Sequence, residues 1–575
     1  MKKLCAILGL IFASNVHAAA IYPIDRAAIL AGSVFDLKVE FDTVVNEADL
    51  TVTINGVPAK DMLKATPKFI EKENGANASS ISLANVAIDK PGQYVVKASD
   101  GKSSIEVTWE VYGTGARKAK NVILFIGDGM TIANRTAARI LSKGIKEGKY
   151  LGKLSFDDMP NMALIGTSGV DSIVTDSANS MSAYTTGHKS SVNALGVYAS
   201  RAKGNLDHPK VETIAELVKR KTKMAVGIVS DAEIEDATPA GVVAHTRRRS
   251  DKDIIAEQLF QSRADVIMGG GSAYFLPRST PGSKRKDDKD IVDLFRKTGF
   301  SVATTDAEMK AAAKSGTSKL LGLYHLENMD GALDRHVLKK GSVDKYPDQP
   351  DVADMTKAAI DVLSRNKDGF FLMVEAGLID KFNHPLDWER SVYDTIMLSN
   401  AVQIAKDFAA KNKDTLILVT PDHTHGLSLV GTVDDTKPSA EMRNKIGVYE
   451  QAGYPNYPKA DKNGYPPSVD VSKRLAMTYG NYPDYYETNR PKLDGPFVPS
   501  IKNSKGDYIA NPQYKDEPGA VLRIGNLPQS ADSGTHTADD GVLNASGPGA
   551  ERVHGFMDNT EVFRTMVDAL GLGRK

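Results

Sequence analysis

The spacing of hydrophobic residues changes once along this chain, near residue 119. Before that point apolar and polar side chains alternate, as at Phe35, Leu37 and Val39, which is the period of a β-strand with one buried face. Beyond it, short uninterrupted apolar runs alternate with amphipathic stretches. This change predicts two domains of different architecture, residues 19–115 and residues 116–575.

The N-terminal region contains several alternating segments separated by turn residues. Leu50, Val52 and Ile54, for example, precede the hairpin signal Asn55-Gly56. Short strands with turns between them favour a β-sandwich of immunoglobulin-like size. Nothing in this region is typical of a catalytic site. It is therefore either a passive folding unit or a module that binds a glycan or a surface.

Beyond residue 119 the apolar runs have the length and continuity of buried parallel strands. These runs are Asn121 to Ile126, Met224 to Val229, Val266 to Met268, Phe370 to Val374 and Thr415 to Val419. Helical patterns lie between them, for instance from Trp388 to Ala410. The alternation predicts an α/β fold with a doubly wound sheet and helices on both faces.

Residues 430–530 interrupt the alternation. The stretch is rich in Pro, Gly, Asn, Lys and Tyr, and its tyrosines include Tyr454, Tyr457, Tyr465, Tyr479, Tyr482, Tyr485 and Tyr486. A stretch this long with little periodicity is either functional or an accessory subdomain. We interpret it as an insertion that covers the active-site face or meets a second subunit; the alternative is a surface addition with no role in chemistry.

The first 18 residues have the pattern of a secretory signal peptide. Two lysines precede the apolar run Leu4 to Ala13, and small residues surround Ala18, where we expect cleavage. The run is too short to span a bilayer. We therefore expect a periplasmic or secreted protein without a membrane anchor.

Cysteine content and net charge limit the disulfides and the binding partners that we expect. The single cysteine, Cys5, lies in the predicted signal peptide, so the mature chain is expected to form no disulfide even in an oxidising compartment. Removal of Lys2 and Lys3 leaves a net charge of about −2. A balance so close to neutral argues against a surface built to bind nucleic acid.

The stretch from Ile173 to Gly187 is the first candidate for chemistry. An apolar approach runs into the polar corner Thr175-Asp176-Ser177, and small residues then continue to Gly187, which predicts a short helix that begins at Ser177. Free N–H groups at a helix N-terminus attract phosphate. Ser177 is thus a candidate nucleophile for phosphoryl transfer. Asp176 and Ser177 are also ordinary capping residues, so this stretch alone leaves both interpretations open.

Three of the predicted strands end in carboxylates. One strand leads to Asp128, another to Glu375 and a third to Asp422-His423. Ligands of an open α/β sheet bind just beyond the carboxyl ends of its strands. The sequence therefore predicts that these side chains meet in one crevice and bind metal there.

Histidines strengthen this prediction. Asp380 and His384 are four residues apart, so one helical turn places them on the same face, and Pro385 favours an end to the turn there. His425 and His536 supply further imidazoles. Mixed carboxylate and imidazole ligands suit zinc, whereas ligands that are all oxygen suit magnesium.

A further candidate group follows the strand Met224 to Val229. In Asp236-Ala237-Thr238-Pro239 the Thr238 hydroxyl is a possible magnesium ligand, and the basic run Arg247-Arg248-Arg249 follows. A guanidinium in this run can clamp two phosphate oxygens. A turn followed by a solvated basic face is the alternative interpretation of the same residues.

Together these motifs resemble the ordered motifs of the alkaline phosphatases over about residues 119–572. They are Ile126-Gly127-Asp128-Gly129-Met130, Thr175-Asp176-Ser177-Ala178, Asp236-Ala237-Thr238-Pro239-Ala240, Glu375 to His384, Asp422-His423-Thr424-His425 and His536-Thr537. The N-terminal region lies outside the resemblance, and residues 430–530 match only in position.

The resemblance implies a site with two Zn²⁺ ions and one Mg²⁺ ion, in which Ser177 becomes phosphoserine. The implied ligands are Asp380, His384 and His536 for one zinc, Asp128, Asp422 and His423 for the other, and Asp128, Thr238 and Glu375 for magnesium. Asp176 lies beside the nucleophile in sequence. His425 would support a ligating carboxylate. Arg249 matches the phosphate-clamping arginine by its distance from Thr238, and Asp236 with Lys381 matches a pairing found in one bacterial branch.

The activity implied is hydrolysis of phosphate monoesters with broad specificity at alkaline pH, with inorganic phosphate as product. The resemblance also makes a homodimer possible. One rival is a phosphodiesterase of the same superfamily. A sulfatase is disfavoured because Ser177 is not followed by the x-P-x-R pattern of that group. A non-catalytic phosphate-binding or surface-adhesion protein would lack ligands, and every expected ligand is present.

Overall fold

The structure, a computed structural model, describes residues 20–434, 436–437, 452–466 and 475–573. The predicted signal peptide, residues 1–18, and its Cys5 lie outside the described residues. The described chain separates into two compact units: residues 20–112 with 200–209, and residues 113–199 with 210–573. None of the helices in these ranges is long and apolar enough to cross a membrane.

The N-terminal unit consists of two β-sheets. Its strands are β1 (Ala20–Tyr22), β2 (Ala28–Leu30), β3 (Phe35–Glu40), β4 (Thr51–Ile54), β5 (Val57–Pro58), β6 (Lys68–Ile70), β7 (Ser80–Val86), β8 (Gly92–Ser99) and β9 (Ser104–Tyr112), with helix α1 (Ala59–Leu63). The sheet orders are β1-β3-β7-β6 and β2-β9-β8-β4-β5. Phe35 and Trp109 pack edge to face at 5.6 Å between ring centroids. A β-rich unit is thus confirmed, whereas its likeness to an immunoglobulin domain stays a prediction.

The segment 200–209 packs with this unit although it lies far along the chain. Buried Lys38 pairs with Glu40 at 2.8 Å and with Glu73 at 2.7 Å. Arg201 adds its guanidinium Nε to Glu73 at 3.3 Å and its backbone N–H to Glu40 at 2.8 Å. Charged groups removed from water must be paired, so this network specifies where the segment sits. No feature of the sequence pattern predicted the excursion.

A ten-stranded mixed sheet forms the centre of the described part of the second unit, in the order β16-β17-β15-β14-β18-β10-β19-β28-β13-β29. The strands of this unit up to its long insertion are β10 (Asn121–Gly127), β11 (Ile145–Lys146), β12 (Lys149–Tyr150), β13 (Asn161–Gly166), β14 (Ala225–Glu233), β15 (Val266–Gly270), β16 (Ser301–Ala303), β17 (Leu320–Leu323), β18 (Phe370–Ala376), β19 (Thr415–Thr420) and β20 (Thr424–His425). All five predicted runs are strands of this sheet, and β14, β15, β18, β10 and β19 pair in parallel. The predicted buried parallel strands are confirmed.

Helices cover both faces of the sheet. They are α2 (Ile132–Lys143), α3 (Ser177–Thr186), α4 (Ile214–Lys221), α5 (Ala237–Ala240), α6 (Lys252–Gln261), α7 (Ile291–Lys297), α8 (Asp306–Lys314), α9 (Val352–Leu363), α10 (Leu378–Asn383), α11 (Trp388–Lys411) and α12 (Thr560–Leu570). Ile123 and Phe125 of β10 belong to the core shared with α2, α9 and α11, whereas the alternate residues of that strand are buried outside it. Successive side chains of a strand point to opposite faces, so the doubly wound α/β prediction is confirmed.

We call residues 430–530 the accessory segment. Strands in and around it are β21 (Leu427–Val430), β22 (Ala476–Tyr479), β23 (Tyr485–Glu487), β24 (Ser500–Lys502), β25 (Tyr508–Ala510) and β26 (Val521–Arg523), followed by β27 (His536–Thr537), β28 (Gly541–Ser546) and β29 (His554–Asp558). Tyr465, Tyr479 and Tyr485 are buried in the core shared with α11. The segment is therefore packed into the unit, with residues 435, 438–451 and 467–474 outside the described part.

Candidate active site

Helix α3 presents Ser177 at its first turn. Asp176 is the N-cap: its carboxylate accepts from the Asn179 backbone N–H, and the Asn179 side chain accepts in return from the Asp176 N–H. At the other end Gly187 ends the helix in a left-handed conformation. The helix predicted from the polar corner and the glycine is confirmed. Its first turn has backbone N–H groups available for an anion beside Ser177.

The Ser177 hydroxyl lies against two side chains from other elements. Its Oγ is 3.3 Å from Asp128 Oδ2 and 3.3 Å from His423 Nε2. Asp128 directly follows β10, and the next residue, Gly129, has a φ of +63°. A side chain at Gly129 would meet the His425 ring at 2.7 Å. Glycine at this position thus lets the two strand ends approach.

Asp380 is the centre of a first group of imidazoles. The closest contact to Asp380 Oδ1 is His425 Nε2 at 2.6 Å, with His384 Nε2 at 3.4 Å and His536 Nε2 at 3.5 Å. His384 is the C-cap of the one-turn helix α10, as the spacing to Asp380 and the following proline predicted. The structure thus brings together Asp380, His384 and His536, with His425 beside them.

His425 lies against the Asp380 carboxylate, with its Nε2 2.6 Å from Asp380 Oδ1. Burial lowers the pKa of His425 to about 3 in spite of the neighbouring Asp380, so the imidazole is neutral and donates from Nε2. A hydrogen bond to a ligating carboxylate fixes its orientation. This arrangement fits the supporting role expected from the sequence.

Asp128, Asp422 and His423 form a second group. His423 Nε2 is 3.1 Å from Asp128 Oδ1 and 3.5 Å from Asp422 Oδ2. The other oxygen of Asp422 accepts from the backbone N–H groups of Gly129 and His423, while Oδ2 has no hydrogen-bond partner among the described residues. An unpaired carboxylate oxygen at the end of a buried strand is costly unless a cation binds it.

Thr238 and Glu375 are the remaining candidate ligands around Asp128. Thr238 Oγ1 is 3.5 Å from Asp128 Oδ2, and Glu375 accepts a short hydrogen bond from the Ser230 hydroxyl. Burial and then the Asp128 carboxylate raise the pKa of Glu375 well above the usual range of a glutamate. Ser230 was not among the predicted residues. The sequence feature that could have identified Ser230 is its position as a polar residue directly after the apolar run Met224 to Val229.

Arg249 and Lys381 bring positive charge to the rim. Arg249 donates to Asp236 Oδ1 at 2.9 Å and to Asp176 Oδ2 at 3.3 Å, while Lys381 Nζ is 3.0 Å from Asp236 Oδ2. Burial opposes ionisation of Asp236, but Lys381 and Arg249 outweigh it and hold its pKa below the usual range. By contrast, Arg247 donates to the Val192 carbonyl. Arg249 is therefore the member of the triple-arginine run that lies beside Asp176.

The donor sets suit metal ions. In each of two groups the ligand atoms lie within 4.8 Å of one another: Asp380, His423, His425 and His536 form one, and Asp128, Asp422 and His423 form the other. His384 lies beside the first group, with its Nε2 3.2 Å from His536 Nε2 and 3.4 Å from Asp380 Oδ1. Mixed nitrogen and oxygen donors of this kind fit zinc, and the hydroxyl and carboxylates around Asp128 fit magnesium.

The part of the chain that contains these residues is similar to known proteins. The profile of the alkaline phosphatase family matches residues 119–572. The alkaline phosphatase of Escherichia coli (strain K12) is 31% identical, over 88% of this chain and 95% of that protein. Alkaline phosphatase 3 of Bacillus subtilis (strain 168) is 30% identical, over 78% of this chain and 89% of that protein.

Solved structures agree on the fold. The alkaline phosphatase of Thermus thermophilus is 25% identical with a TM-score of 0.58, over 80% of this chain and 93% of that one. The enzyme from the Antarctic bacterium TAB5 is 23% identical with a TM-score of 0.52, over 79% and 98% of the two chains, which supports the fold alone. With the family profile spanning every predicted site residue, this chain belongs to the alkaline phosphatase family and is a phosphatase.

Proposed function

We propose that this protein hydrolyses phosphate monoesters with broad specificity at alkaline pH through a phosphoserine at Ser177. The main observation that supports this proposal is the position of the Ser177 hydroxyl, which lies at the start of α3 and within 3.3 Å of both Asp128 and His423. A nucleophile in contact with candidate metal ligands, beside free helix N–H groups, suits attack on an anionic ester.

Three metal ions complete this proposal. Asp380, His384 and His536 would hold one Zn²⁺, and Asp128, Asp422 and His423 the other. Asp128, Thr238 and Glu375 would hold Mg²⁺. When bound, these ions supply positive charge that lowers the pKa of a hydroxyl or water and offsets charge on the phosphoryl oxygens. The support is the donor chemistry and the buried, unpaired oxygen of Asp422.

The reaction follows as two in-line displacements at phosphorus. In the first, Ser177 Oγ loses its proton and bonds to phosphorus while the ester P–O bond breaks, and the departing alkoxide takes up a proton. In the second, a water molecule loses a proton as its oxygen bonds to phosphorus from the opposite side, the bond to Ser177 Oγ breaks and that oxygen takes up a proton, and inorganic phosphate leaves. Each displacement needs the phosphoryl group held in place.

The rim residues hold that group. Arg249 can donate two hydrogen bonds to non-bridging phosphate oxygens because Asp176 and Asp236 fix its planar guanidinium. Lys381 is fixed by the same Asp236 and by Asp380 at 3.4 Å. Because burial would otherwise lower the pKa of Lys381, its rise above the usual range reflects Asp236 and Asp380. Both cations are therefore charged at alkaline pH.

The test is hydrolysis of p-nitrophenyl phosphate at alkaline pH by protein loaded with zinc and magnesium. We expect Ser177→Ala to lose about 10³-fold or more in kcat, and a chelated sample to lose activity as well. Mass spectrometry of acid-quenched wild type should find phosphate on Ser177. Ser182→Ala is the matched control, since it removes a buried hydroxyl from the same helix outside the site.

Three outcomes would contradict the proposal. If bis(p-nitrophenyl) phosphate were hydrolysed faster than the monoester, the phosphodiesterase alternative would replace it. If metal-loaded wild type bound phosphate without turnover, the non-catalytic alternative would stand. Wild-type activity in Ser177→Ala would rule out the assigned nucleophile.

We also infer a periplasmic or secreted protein cleaved near Ala18, and a homodimer that the accessory segment helps to form. The first rests on the sequence of residues 1–18 alone. Mass determination of the exported protein would find the new N-terminus, and light scattering would find the mass of a dimer. A monomer would remove the interface role of the accessory segment.

A further inference from the structure

The accessory segment joins two of the candidate site's imidazoles in sequence. His425 lies in β20 before it and His536 in β27 after it, and these two residues pair directly across the antiparallel strands. Asn481 from the accessory segment lies against the second strand. Its side-chain Nδ2 is 2.8 Å from Thr535 Oγ1, 3.0 Å from the Thr535 carbonyl and 3.3 Å from the His536 carbonyl.

The Gly480-Asn481 turn is also fixed from its other side. The Gly480 N–H donates to the Gly426 carbonyl at 2.6 Å, directly after His425. A Cβ at Gly426 would lie 2.7 Å from Asn481 Oδ1, so the two segments are in close contact. Asn526 holds the Gly480 carbonyl at 2.8 Å. Asn481 therefore occupies a rigid position between the two histidine strands.

The segment 534–536, which Asn481 contacts, fixes the orientation of two candidate zinc ligands, His384 and His536. The Gly534 N–H donates to the His384 carbonyl at 2.7 Å, and the Gly534 carbonyl is 2.9 Å from His384 Nδ1. His536 Nδ1 is 2.8 Å from the Thr175 carbonyl. Such contacts fix the tautomer and ring orientation and leave Nε2 of each ring for a metal.

We propose that Asn481 is a positioning residue for the zinc site of Asp380, His384 and His536. Its amide holds the 534–536 backbone, so that both rings keep their spacing before the metal binds. This inference rests on the proposed function. It makes the accessory segment part of the catalytic centre's framework, and Tyr479 extends the same role by donating to Asn383 Oδ1 at 3.0 Å at the end of α10.

The amide chemistry of Asn481 is specific. Its Nδ2 carries two hydrogens and faces only acceptors, so an aspartate of the same size would place a carboxylate against two carbonyl oxygens. A glutamine keeps the donors on a longer chain. We therefore expect the loss of zinc affinity to increase in the order Asn481→Gln, Asn481→Ala, Asn481→Asp, so that the Asn481→Asp variant binds zinc most weakly.

The test measures zinc affinity directly, by competition with a chromophoric chelator, on the full-length mature protein. We expect Asn481→Ala to weaken one of two zinc ions by about tenfold or more, the usual cost of removing a residue that supports a metal ligand. The other zinc and the magnesium requirement should be unchanged. With saturating zinc, kcat should recover to near the wild-type value.

Asn511→Ala is the matched control, because Asn511 donates to the Val498 carbonyl at 3.0 Å within the accessory segment but away from the site. If both variants lowered the melting temperature of the metal-free protein and neither changed zinc affinity, Asn481 would be merely structural. Should Asn481→Ala fail to fold, wild-type zinc affinity in Asn481→Gln and Asn481→Asp would overturn the proposal equally. Absence of tight zinc binding by wild type would instead refute the proposed function.

Discussion

Four carboxylates lie buried within the candidate active site, and their environment favours the binding of cations. Asp128, Glu375, Asp380 and Asp422 are each at most 2% exposed. Burial and the Asp128 carboxylate raise the pKa of Asp422 well above the usual range. Buried negative charges repel each other and lose hydration. In spite of burial, neighbouring imidazoles and Lys381 hold the pKa values of Asp128 and Asp380 below the usual range, so bound cations would matter most for keeping Asp422 and Glu375 ionised.

Burial has the opposite consequence for His188, which is outside the site. It is 5% exposed, its Nδ1 is 2.7 Å from the Tyr198 hydroxyl, and burial lowers its pKa from 6.5 to about 4. Between those pH values the unfolded chain binds a proton that the native chain does not. Stability from this residue is therefore complete above about pH 6.5 and is lost as the pH falls towards 4. This shift in the His188 pKa corresponds to about 3 kcal/mol of unfolding free energy lost at acidic pH.

We expect His188→Gln to reduce the acid sensitivity of the metal-free protein. Between pH 7 and pH 4 its free energy of unfolding should fall by up to about 3 kcal/mol less than that of wild type, measured by urea denaturation. His554→Gln is the control because its imidazole is exposed. Parallel pH dependences for wild type and His188→Gln would contradict the assignment.

At the scale of elements, helix α3 is fixed at both ends. The Asp176 and Asn179 pair closes the start, and Gly187 closes the end with a φ of +76°. A Cβ at Gly187 would lie 2.6 Å from a ring carbon of Phe563 in α12. The end of the helix that carries Ser177 therefore depends on a glycine for two separate reasons, backbone conformation and close packing.

Gly187→Ala should destabilise the protein by about 2–4 kcal/mol, from the cost of positive φ together with overpacking. Gly299→Ala separates the two effects, because Gly299 has a φ of +88° and a Cβ there would have no atom of the described residues within 4 Å. We expect about 1 kcal/mol there. Urea denaturation of the metal-free proteins measures both, and equal losses would show that the Phe563 contact is unimportant.

At the scale of the whole molecule, the N-terminal unit is built from two separate parts of the chain. Its sheets hold the segment 200–209 through Arg201, whose guanidinium also donates to the carbonyls of Phe41 and Ser79. Asn74 reaches the Arg201 carbonyl at 2.9 Å. The N-terminal unit therefore includes residues 200–209, which belong in sequence to the part of the chain that matches the alkaline phosphatase family.

Glu73→Ala should release that segment. It leaves Lys38 with one partner fewer and Arg201 without its Glu73 contact, and breaking a buried ion pair costs about 3–5 kcal/mol. We expect trypsin to cut after Arg201 or Lys203 at least about tenfold faster than in wild type, as followed by mass spectrometry. Glu47→Ala is the control, since Glu47 is exposed. Unchanged resistance at these bonds would show that Glu73 does not hold the segment.

Local patterns in the sequence were enough to predict five parallel strands of the main sheet and the candidate ligands at their carboxyl ends. Apolar runs such as Asn121 to Ile126 became central strands, and the spacing of Asp380 and His384 became one helical turn. Both follow from short-range rules: continuous burial selects a parallel strand, and four residues span one turn. The roles of these side chains as ligands stay a prediction based on family resemblance.

Tertiary structure alone decided which distant segments meet. The antiparallel strands β28 and β13 enter the sheet beyond β19, Ser230 reaches Glu375, Asn481 holds the His536 strand, and residues 200–209 pack with the N-terminal unit. None of these pairings has a periodic signature, because each depends on which unsatisfied polar group or apolar face is left exposed once the nearer elements have packed. The sequence by itself determined the fold class, the order of the motifs and the candidate ligands; the packed chain determined how those ligands are held.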